Sequence, residues 1–235
     1  MKMPLHQKAR GVLTSLKYTD SPTPRFKVED GQVDWKTDFS TYKPTHFEHP
    51  KLGAGKPKGE RVVWADPSKD CSHEYKQIVS EFNKNNRKSY IGEYTIESEL
   101  PRNPMGRTGM SGRGVLGKWG PNHAADPLVI RKCKTDQNHL EFVAIKRRDN
   151  GEWAMPGGMV DAGASVPETT KREFLEEAAN SLEKNEEEIK EMKACVGKLF
   201  DNPTQTIYKG YVDDPRNTDN AWMETAVTLF YSEFK

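Results

Sequence analysis

Three glutamates in the second half of the chain have the spacing of a metal site. Glu173, Glu176 and Glu177 are three and four positions apart, so on an α-helix their side chains project from one face. Mg²⁺ and Mn²⁺ prefer carboxylate oxygens, with water and phosphate oxygens completing the shell. Carboxylates this close repel one another, and a purely structural helix gains nothing from that crowding. The pattern indicates a divalent-metal site, and a solvated acidic helix face is the alternative.

A hairpin and a glycine turn precede these glutamates and would position them. The apolar content and turn residues predict, in chain order, a strand over 140–147, a turn over 149–151, a returning strand over 152–155 and a helix over 167–192. Between the hairpin and the helix, Pro156, Gly157 and Gly158 allow a sharp exit and a close approach of the backbone. We therefore expect a strand-loop-helix unit that presents the carboxylates.

The remaining sequence predicts a mixed α/β protein with an irregular N-terminal region. The first hundred residues have little periodicity apart from a helical stripe over 72–86, whereas residues 206–212 and 222–230 have strand character. A glycine-rich segment separates the two parts near Gly117. The predicted organisation is a flexible segment over 1–40, a smaller irregular N-terminal domain over 41–117 and a catalytic domain over 118–235.

Composition excludes several other classes of protein. The chain has 36 basic and 35 acidic side chains, so its net charge of +1 favours neither nucleic acid nor an anionic membrane as a partner. Three widely spaced cysteines favour a reducing compartment over a disulfide framework. The basic start of the chain faintly resembles a mitochondrial transit peptide, and an ordinary basic tail is the alternative. We expect an intracellular monomer, mitochondrial or cytoplasmic.

The glycine turn and the glutamates together resemble the Nudix box. The residues that carry this resemblance are Gly157-Gly158-Met159-Val160-Asp161 and Arg172-Glu173-Phe174-Leu175-Glu176-Glu177. The resemblance implies an α+β Nudix fold, with a mixed sheet between helices. It also implies that Gly158, Glu173, Glu176 and Glu177 hold Mg²⁺, with Mn²⁺ as an alternative. By the same resemblance, Glu173 and Glu177 are catalytic, and Arg172 orients the carboxylates through ion pairing.

Two departures from the family pattern bear on activity. The box usually has a glutamate six residues after its glycine, and this position is Ala164 here. The chain also stops at Lys235, where related enzymes continue, so we expect the C-terminal part of the Nudix fold to be truncated. The general base is not evident from the sequence, and Glu224 is one candidate.

Longer runs resemble the ADP-ribose diphosphatase branch of the family, which also supplies the C-terminal domain of melastatin-type cation channels. They are Pro101-Arg102-Asn103-Pro104, Gly106-Arg107-Thr108-Gly109, residues 112–127 and residues 208–222. The resemblance implies that Asp214 and Arg216 contact the substrate, ADP-ribose or a similar nucleoside diphosphate derivative, and that the products are AMP and ribose 5-phosphate. The alternatives are a module that binds ADP-ribose without cleaving it, and an inactive truncated product.

Overall fold

The computed structural model describes residues 5–53, 60–147, 151–160, 166–178, 186–201 and 205–232. The chain divides into two compact units, each assembled from two stretches of sequence. The first unit contains Met1–Asn122 and Gly210–Glu224, and the second contains His123–Lys209 and Thr225–Lys235. A segment near the end of the sequence therefore folds with the N-terminal part. The domain boundaries at residues 40 and 117 stay a prediction.

The first unit consists mainly of irregular backbone with short regular elements. In its described residues these are 3₁₀ turns at Asp30–Gln32, Pro50–Leu52 and Asn85–Arg87, strands β1 (Thr45–Glu48), β2 (Ile96–Glu97), β3 (Leu100–Pro101) and β4 (Met110–Gly114), and helix α1 (Ser72–Val79). Strands β1 and β4 pair in parallel, and β2 and β3 pair in antiparallel orientation. The helix predicted over 72–86 is shorter than expected. Asn83 and Asn85 adopt positive φ, which a right-handed helix does not accommodate.

Several side chains of residues 5–40 are buried, in the stretch for which the sequence analysis expects a flexible segment. Four of their polar or aromatic side chains are at most 5% exposed, namely His6, Arg10, Tyr18 and Arg25. Arg10, for example, donates to the carbonyl oxygen of Val28 at 2.8 Å and pairs with Asp30. Hydrophobic periodicity does not detect packing of this kind, because the ordering comes from side chains that satisfy irregular backbone.

Aromatic rings and buried ion pairs hold the first unit together. Its core contains Tyr75, Phe82, Tyr94, Trp119 and Trp222. Tyr94 contacts Trp222 edge-on at 5.2 Å between ring centroids, a geometry that aromatic pairs prefer. The fully buried Arg113 pairs with Glu48 and also donates to the carbonyl oxygens of Asp66 and Gly117. Buried carbonyl groups that lack a strand partner thus accept hydrogen bonds from arginine.

Most of the remaining strands belong to one five-stranded sheet. The elements are β5 (Gly120–Lys132), β6 (Leu140–Phe142), β7 (Ile145–Lys146), β8 (Trp153–Ala154), β9 (Gly158–Met159), helix α2 (Val166–Glu173), a π-helical turn (Phe174–Ala178), helix α3 (Glu186–Phe200), β10 (Gln205–Tyr211) and β11 (Ala221–Tyr231). The sheet has the strand order β10-β11-β5-β6, with β9 also pairing with β5. The mixed α/β class that the sequence predicts is confirmed.

The apolar core of the second unit lies among strands β5 and β11 and the helices. Val129, Phe174, Val196 and Phe230 are buried there, and Phe200 stacks on Phe230 with 4.2 Å between ring centroids. Phe174 begins the π-helical turn, so its burial ties that turn to the core. The carboxylate-bearing segment is therefore anchored by an apolar side chain in its own sequence.

The structure agrees with several local predictions and differs from others. Strands β7 and β8 form the predicted hairpin, with Ile145 opposite Ala154, and residues 148–150 of its turn lie outside the described residues. The strand expected over 140–147 is divided into β6 and β7. The helix expected over 167–192 changes to π-helical geometry at Phe174, and residues 179–185 within it lie outside the described residues.

Candidate active site

The glutamates that the sequence proposes as metal ligands follow one another across a change of helix type. Glu173 is the last residue of α2, and Glu176 and Glu177 lie in the π-helical turn. The i→i+5 hydrogen bonds of a π-helix shift the register of the residues they include, and such turns are frequent at functional sites. The side chains of Glu173 and Glu177, and the whole of Ala164, lie outside the described residues.

Glu176 is the one member of the glutamate triplet whose side chain is described, and it is exposed. One oxygen of its carboxylate accepts a hydrogen bond from Nη1 of Arg172 at 3.1 Å, and the two side chains are 55% and 41% exposed. An exposed ion pair four positions apart on a helix contributes only about 0.3–0.5 kcal/mol. The carboxylate of Glu176 can therefore turn towards a cation at little cost. The pairing is the contact that the resemblance implies, whereas the roles of both residues stay predictions.

The glycine turn before α2 packs closely against strand β5. Gly158 lies in β9 opposite Ala125 of β5, and the amide of Val160 donates to the carbonyl oxygen of His123 at 2.9 Å. A Cβ atom on Gly157 would overlap Oδ1 of Asp126. Gly157 is thus required for the close approach, and the role of Gly158 beside the metal, which the resemblance implies, stays a prediction.

Asp126 is a residue of this region that sequence reasoning did not single out. Its Oδ2 accepts a hydrogen bond from Thr225 Oγ1 at 2.7 Å, and its Oδ1 lies against Gly157. The carboxylate thereby connects strand β5, the glycine turn and strand β11. Asp126 lies inside the run over 112–127 that carries the family resemblance. Nothing in its neighbouring residues indicates that its carboxylate packs against Gly157.

The second predicted cluster, Asp214 and Arg216, forms a compact charged turn in the first unit. Nε and Nη2 of Arg216 each donate to one carboxylate oxygen of Asp214 at 2.8 Å, and the backbone amide of Arg216 donates to Oδ1 at 2.8 Å. The amide of Asn217 donates to the carbonyl oxygen of Asp214, which closes a β-turn with Pro215 at its second position. The two residues are therefore paired within one turn, and their contact with the substrate stays a prediction.

The electrostatics of this turn keep Asp214 ionised. Burial raises the pKa of Asp214, but the hydrogen bonds and the positive charge of Arg216 lower it by more. The pKa of Asp214 therefore lies below its usual value. An ionised carboxylate can accept hydrogen bonds from ribose hydroxyls, and a guanidinium suits a phosphate. The turn therefore offers an acceptor and a cation side by side.

Glu224, a sequence candidate for the general base, is a structural residue instead. It is fully buried, and its two carboxylate oxygens accept hydrogen bonds from Ser89 Oγ, the amide of Tyr90 and Trp222 Nε1 at 2.6–2.7 Å. A general base must reach the proton of a reacting water. Since its oxygens already serve three internal donors, the geometry contradicts that role for Glu224.

The described residues contain no group of three or more histidine, cysteine, aspartate or glutamate side chains arranged to hold a metal ion. The side chain of Glu176 is among the described residues, whereas those of Glu173 and Glu177 are not. In the same part of the chain, no helix is long and apolar enough to cross a membrane.

Comparison with known proteins identifies both halves of the chain. A family model described as the NUDT9-like N-terminal domain matches residues 28–120, and a model of the NUDIX domain matches residues 123–225. Over 97% of its length, the chain is 45% identical to "Putative nudix hydrolase 6" of Caenorhabditis elegans and covers 80% of that protein.

Two further relatives differ in how much of their length the chain spans. Over 97% of its own length, it is 44% identical to "ADP-ribose pyrophosphatase, mitochondrial" of Rattus norvegicus and covers 65% of that protein. It is 46% identical, again over 97% of its length, to "Transient receptor potential cation channel subfamily M member-like 2" of Nematostella vectensis, of which it covers 15%. The chain belongs to the Nudix hydrolase family, and the resemblance stated from the sequence is confirmed.

Proposed function

We propose that this Nudix hydrolase cleaves the pyrophosphate of ADP-ribose, giving AMP and ribose 5-phosphate. Water adds across the P–O–P linkage, so that each product leaves with one phosphate group. The observation that carries the proposal is the exposed carboxylate of Glu176 in a π-helical turn of the Nudix box, where a weak pair with Arg172 is its contact among the described residues. The name and the 44% identity of the rat relative support ADP-ribose as the substrate.

The donor set of the box fits a divalent cation. Glu173, Glu176 and Glu177 would hold Mg²⁺ or Mn²⁺ together with the backbone of Gly158, because hard cations prefer oxygen ligands. When bound, the ion neutralises the diphosphate and lowers the pKa of a coordinated water. Arg172 keeps the Glu176 carboxylate oriented until it turns to the cation, and burial of Phe174 ties the segment to the core.

The Asp214–Arg216 turn would recognise the substrate. Arg216 supplies a cation for a phosphate oxygen, and Asp214, kept ionised by its low pKa, accepts hydrogen bonds from ribose hydroxyls. Because Arg216 is already oriented by Asp214, little side-chain entropy remains to be lost on binding. A mitochondrial location is the compartment we propose, from the name of the rat relative.

A module that binds ADP-ribose without cleaving it is the second candidate. Two observations favour it, namely Ala164 in place of the usual glutamate of the box and the 46% identity to a channel relative. The carboxylates of the box favour hydrolysis, since a sensor has no need of metal ligands for cleavage.

One experiment separates the two candidates. The purified chain is incubated with ADP-ribose and Mg²⁺, and AMP is measured by chromatography, beside a variant that carries both Glu176→Gln and Glu177→Gln. We expect AMP from the chain and none from the double variant, with a similar melting temperature for both. If calorimetry shows that the folded chain binds ADP-ribose but no AMP is released, the chain is a binding module and not an enzyme.

A further inference from the structure

Two side chains of the N-terminal segment satisfy the backbone of the turn that carries Asp214 and Arg216. Tyr18 donates its hydroxyl to the carbonyl oxygen of Arg216 at 2.6 Å. Arg25 donates to the carbonyl oxygen of Pro215 at 2.5 Å and, through both terminal nitrogens, to that of Asn217 at 3.2 Å. Three consecutive carbonyl groups of the turn thus accept hydrogen bonds from two residues about 200 positions earlier in the chain.

Arg25 is held there as a buried cation. Burial lowers the pKa of Arg25, and its four side-chain hydrogen bonds within the described residues all go to carbonyl oxygens, the fourth being that of Thr108. Burying a guanidinium is unfavourable unless its donors are satisfied. A planar fork can reach carbonyl oxygens on both sides of a turn at once, which a lysine ammonium cannot do with the same geometry. The chemistry at this position is therefore matched to the shape of the turn.

Tyr18 completes the arrangement. The guanidinium of Arg25 lies over its ring, 4.9 Å from the centroid, and its hydroxyl accepts a hydrogen bond from the amide of Val115 at 3.0 Å. Burial raises the pKa of Tyr18, which keeps the hydroxyl protonated. Because the amide of Val115 donates to the hydroxyl oxygen and a carbonyl oxygen can only accept, the hydroxyl proton points to the carbonyl oxygen of Arg216.

The residue just before the turn is bound by the same N-terminal segment. The amides of Lys8 and Ala9 donate to the two carboxylate oxygens of Asp213 at 2.9 and 2.8 Å. His6 also contacts the hydroxyl of Tyr211, 2.8 Å from its Nδ1. Residues 5–25 therefore hold the turn at its start and along its backbone, while the side chains of Asp214 and Arg216 remain directed at each other.

We propose that Tyr18 and Arg25 are positioning residues that hold the Asp214–Arg216 turn in its substrate-binding conformation. The inference rests on the proposed function of that turn as the ADP-ribose contact. Neither residue is among the predicted metal ligands, so they act through the turn's backbone. Loss of either hydrogen-bond set lets the peptide groups of residues 215–217 rotate, and Arg216 then loses its preset direction. This raises the KM for ADP-ribose and leaves kcat nearly unchanged.

Tyr18→Phe is the first test, with Tyr75→Phe as its matched control. Both tyrosines are buried and donate to a distant carbonyl oxygen, but Tyr75 donates to Glu99, at 2.7 Å, and does not contact the turn. We expect Tyr18→Phe to raise the KM about three- to tenfold, the loss of one buried hydrogen bond, with kcat within about twofold. We expect Tyr75→Phe to lower the melting temperature about as much as Tyr18→Phe does, without changing the KM.

Arg25→Lys is the second test, with Arg107→Lys as its control. Arg107 is also a buried arginine whose Nη atoms donate to carbonyl oxygens, those of Gln32, Asp34, Trp35 and Thr37. We expect Arg25→Lys to raise the KM by about tenfold or more, because at least two hydrogen bonds to the turn are lost. Arg107→Lys should change stability alone.

The outcomes separate the two proposals. If the unmodified chain hydrolyses ADP-ribose and the two turn variants change the KM no more than their controls, the positioning role is wrong while the proposed function stands. A fall in kcat with an unchanged KM would also overturn it. If a folded chain neither binds nor hydrolyses ADP-ribose, the proposed function is wrong. ADP-ribose is then also wrong as the ligand of the turn.

Discussion

The Asp214–Arg216 turn and the carboxylate segment around Glu176 each pair opposite charges, yet the pairs are held in different ways. In the turn, two nitrogens of Arg216 meet both oxygens of Asp214, and buried donors fix the backbone. In the helical segment, one nitrogen of Arg172 meets one oxygen of an exposed glutamate. Recognition of a flexible organic ligand gains from a preset partner, whereas a metal ion can itself order exposed carboxylates.

The largest expected effect follows from the exposed carboxylate. Glu176→Gln should lower kcat for ADP-ribose hydrolysis on the order of a thousandfold, since a neutral amide is a poor substitute for a carboxylate at a hard cation. The melting temperature should stay the same, because the pair with Arg172 is exposed. Steady-state kinetics and calorimetry check both parts. A large loss of stability with a normal kcat would show instead that Glu176 stabilises the fold and has no part in catalysis.

The pH dependence of stability should come from His6, a buried residue of the N-terminal segment that holds the turn. Burial lowers the pKa of His6 from its usual 6.5 to about 4. Between these two values the unfolded chain binds the proton and the folded chain does not, so stability is full above pH 6.5 and falls as the pH decreases towards 4. The total loss is about 3 kcal/mol.

The measurement is urea unfolding at several pH values between 4 and 7. His6→Gln removes the titrating group and should flatten the profile in this range, although it lowers stability at pH 7. The low pKa of Asp214 adds a separate loss at more acidic pH, since its stabilising contribution disappears as the carboxylate is protonated. An unchanged slope in His6→Gln would contradict the assignment to His6.

A smaller effect with the opposite kinetic signature is expected in the turn. Asp214→Asn removes the charge that orients Arg216, so the KM for ADP-ribose should rise about tenfold while kcat changes little. Stability should fall by about 1–2 kcal/mol, because Asp214 is mostly buried and accepts three hydrogen bonds. Asp213→Asn tests the adjacent anchor of the N-terminal segment. A drop in kcat alone would place Asp214 in the chemistry and not in recognition.

The smallest expected effect concerns the partner of Glu176. Arg172→Lys keeps the charge and loses the planar group, so stability should change by less than about 0.5 kcal/mol. Activity should fall by only a few fold if Arg172 merely orients the carboxylate. Titration of Mg²⁺ in the hydrolysis assay would show the change as a weaker apparent metal affinity. A loss as large as that of Glu176→Gln would indicate direct contact with the substrate.

Local pattern was sufficient for the parts of the fold that local interactions form. The β7–β8 hairpin, α2 and strands β10 and β11 follow from apolar runs, turn residues and helical spacing. Strand β5 was not predicted, because its first four residues, Gly-Pro-Asn-His, include none that strands prefer. They are nevertheless buried, and pairing of the strand with its neighbours overrides the low propensity.

The candidate site divides in the same way. The helical spacing indicated Glu173, Glu176 and Glu177, and the resemblance to the family added Arg172, Asp214 and Arg216. The sequence did not reveal the π-helical turn, the packing of Asp126 over Gly157 or the buried state of Glu224. The packing of Asp126 and the burial of Glu224 depend on contacts whose partners lie far apart in the chain, so no window of neighbouring residues contains them.

The sequence by itself determined the family, the α/β class and the residues offered for metal and substrate binding, because motifs and periodicity are properties of neighbouring positions. Only the tertiary structure decided that His6, Arg10, Tyr18 and Arg25 are buried and that Tyr18 donates to Arg216, 198 positions away. Hydrogen bonds between such distant residues leave no periodic signal. Their formation depends on the burial that the whole fold creates.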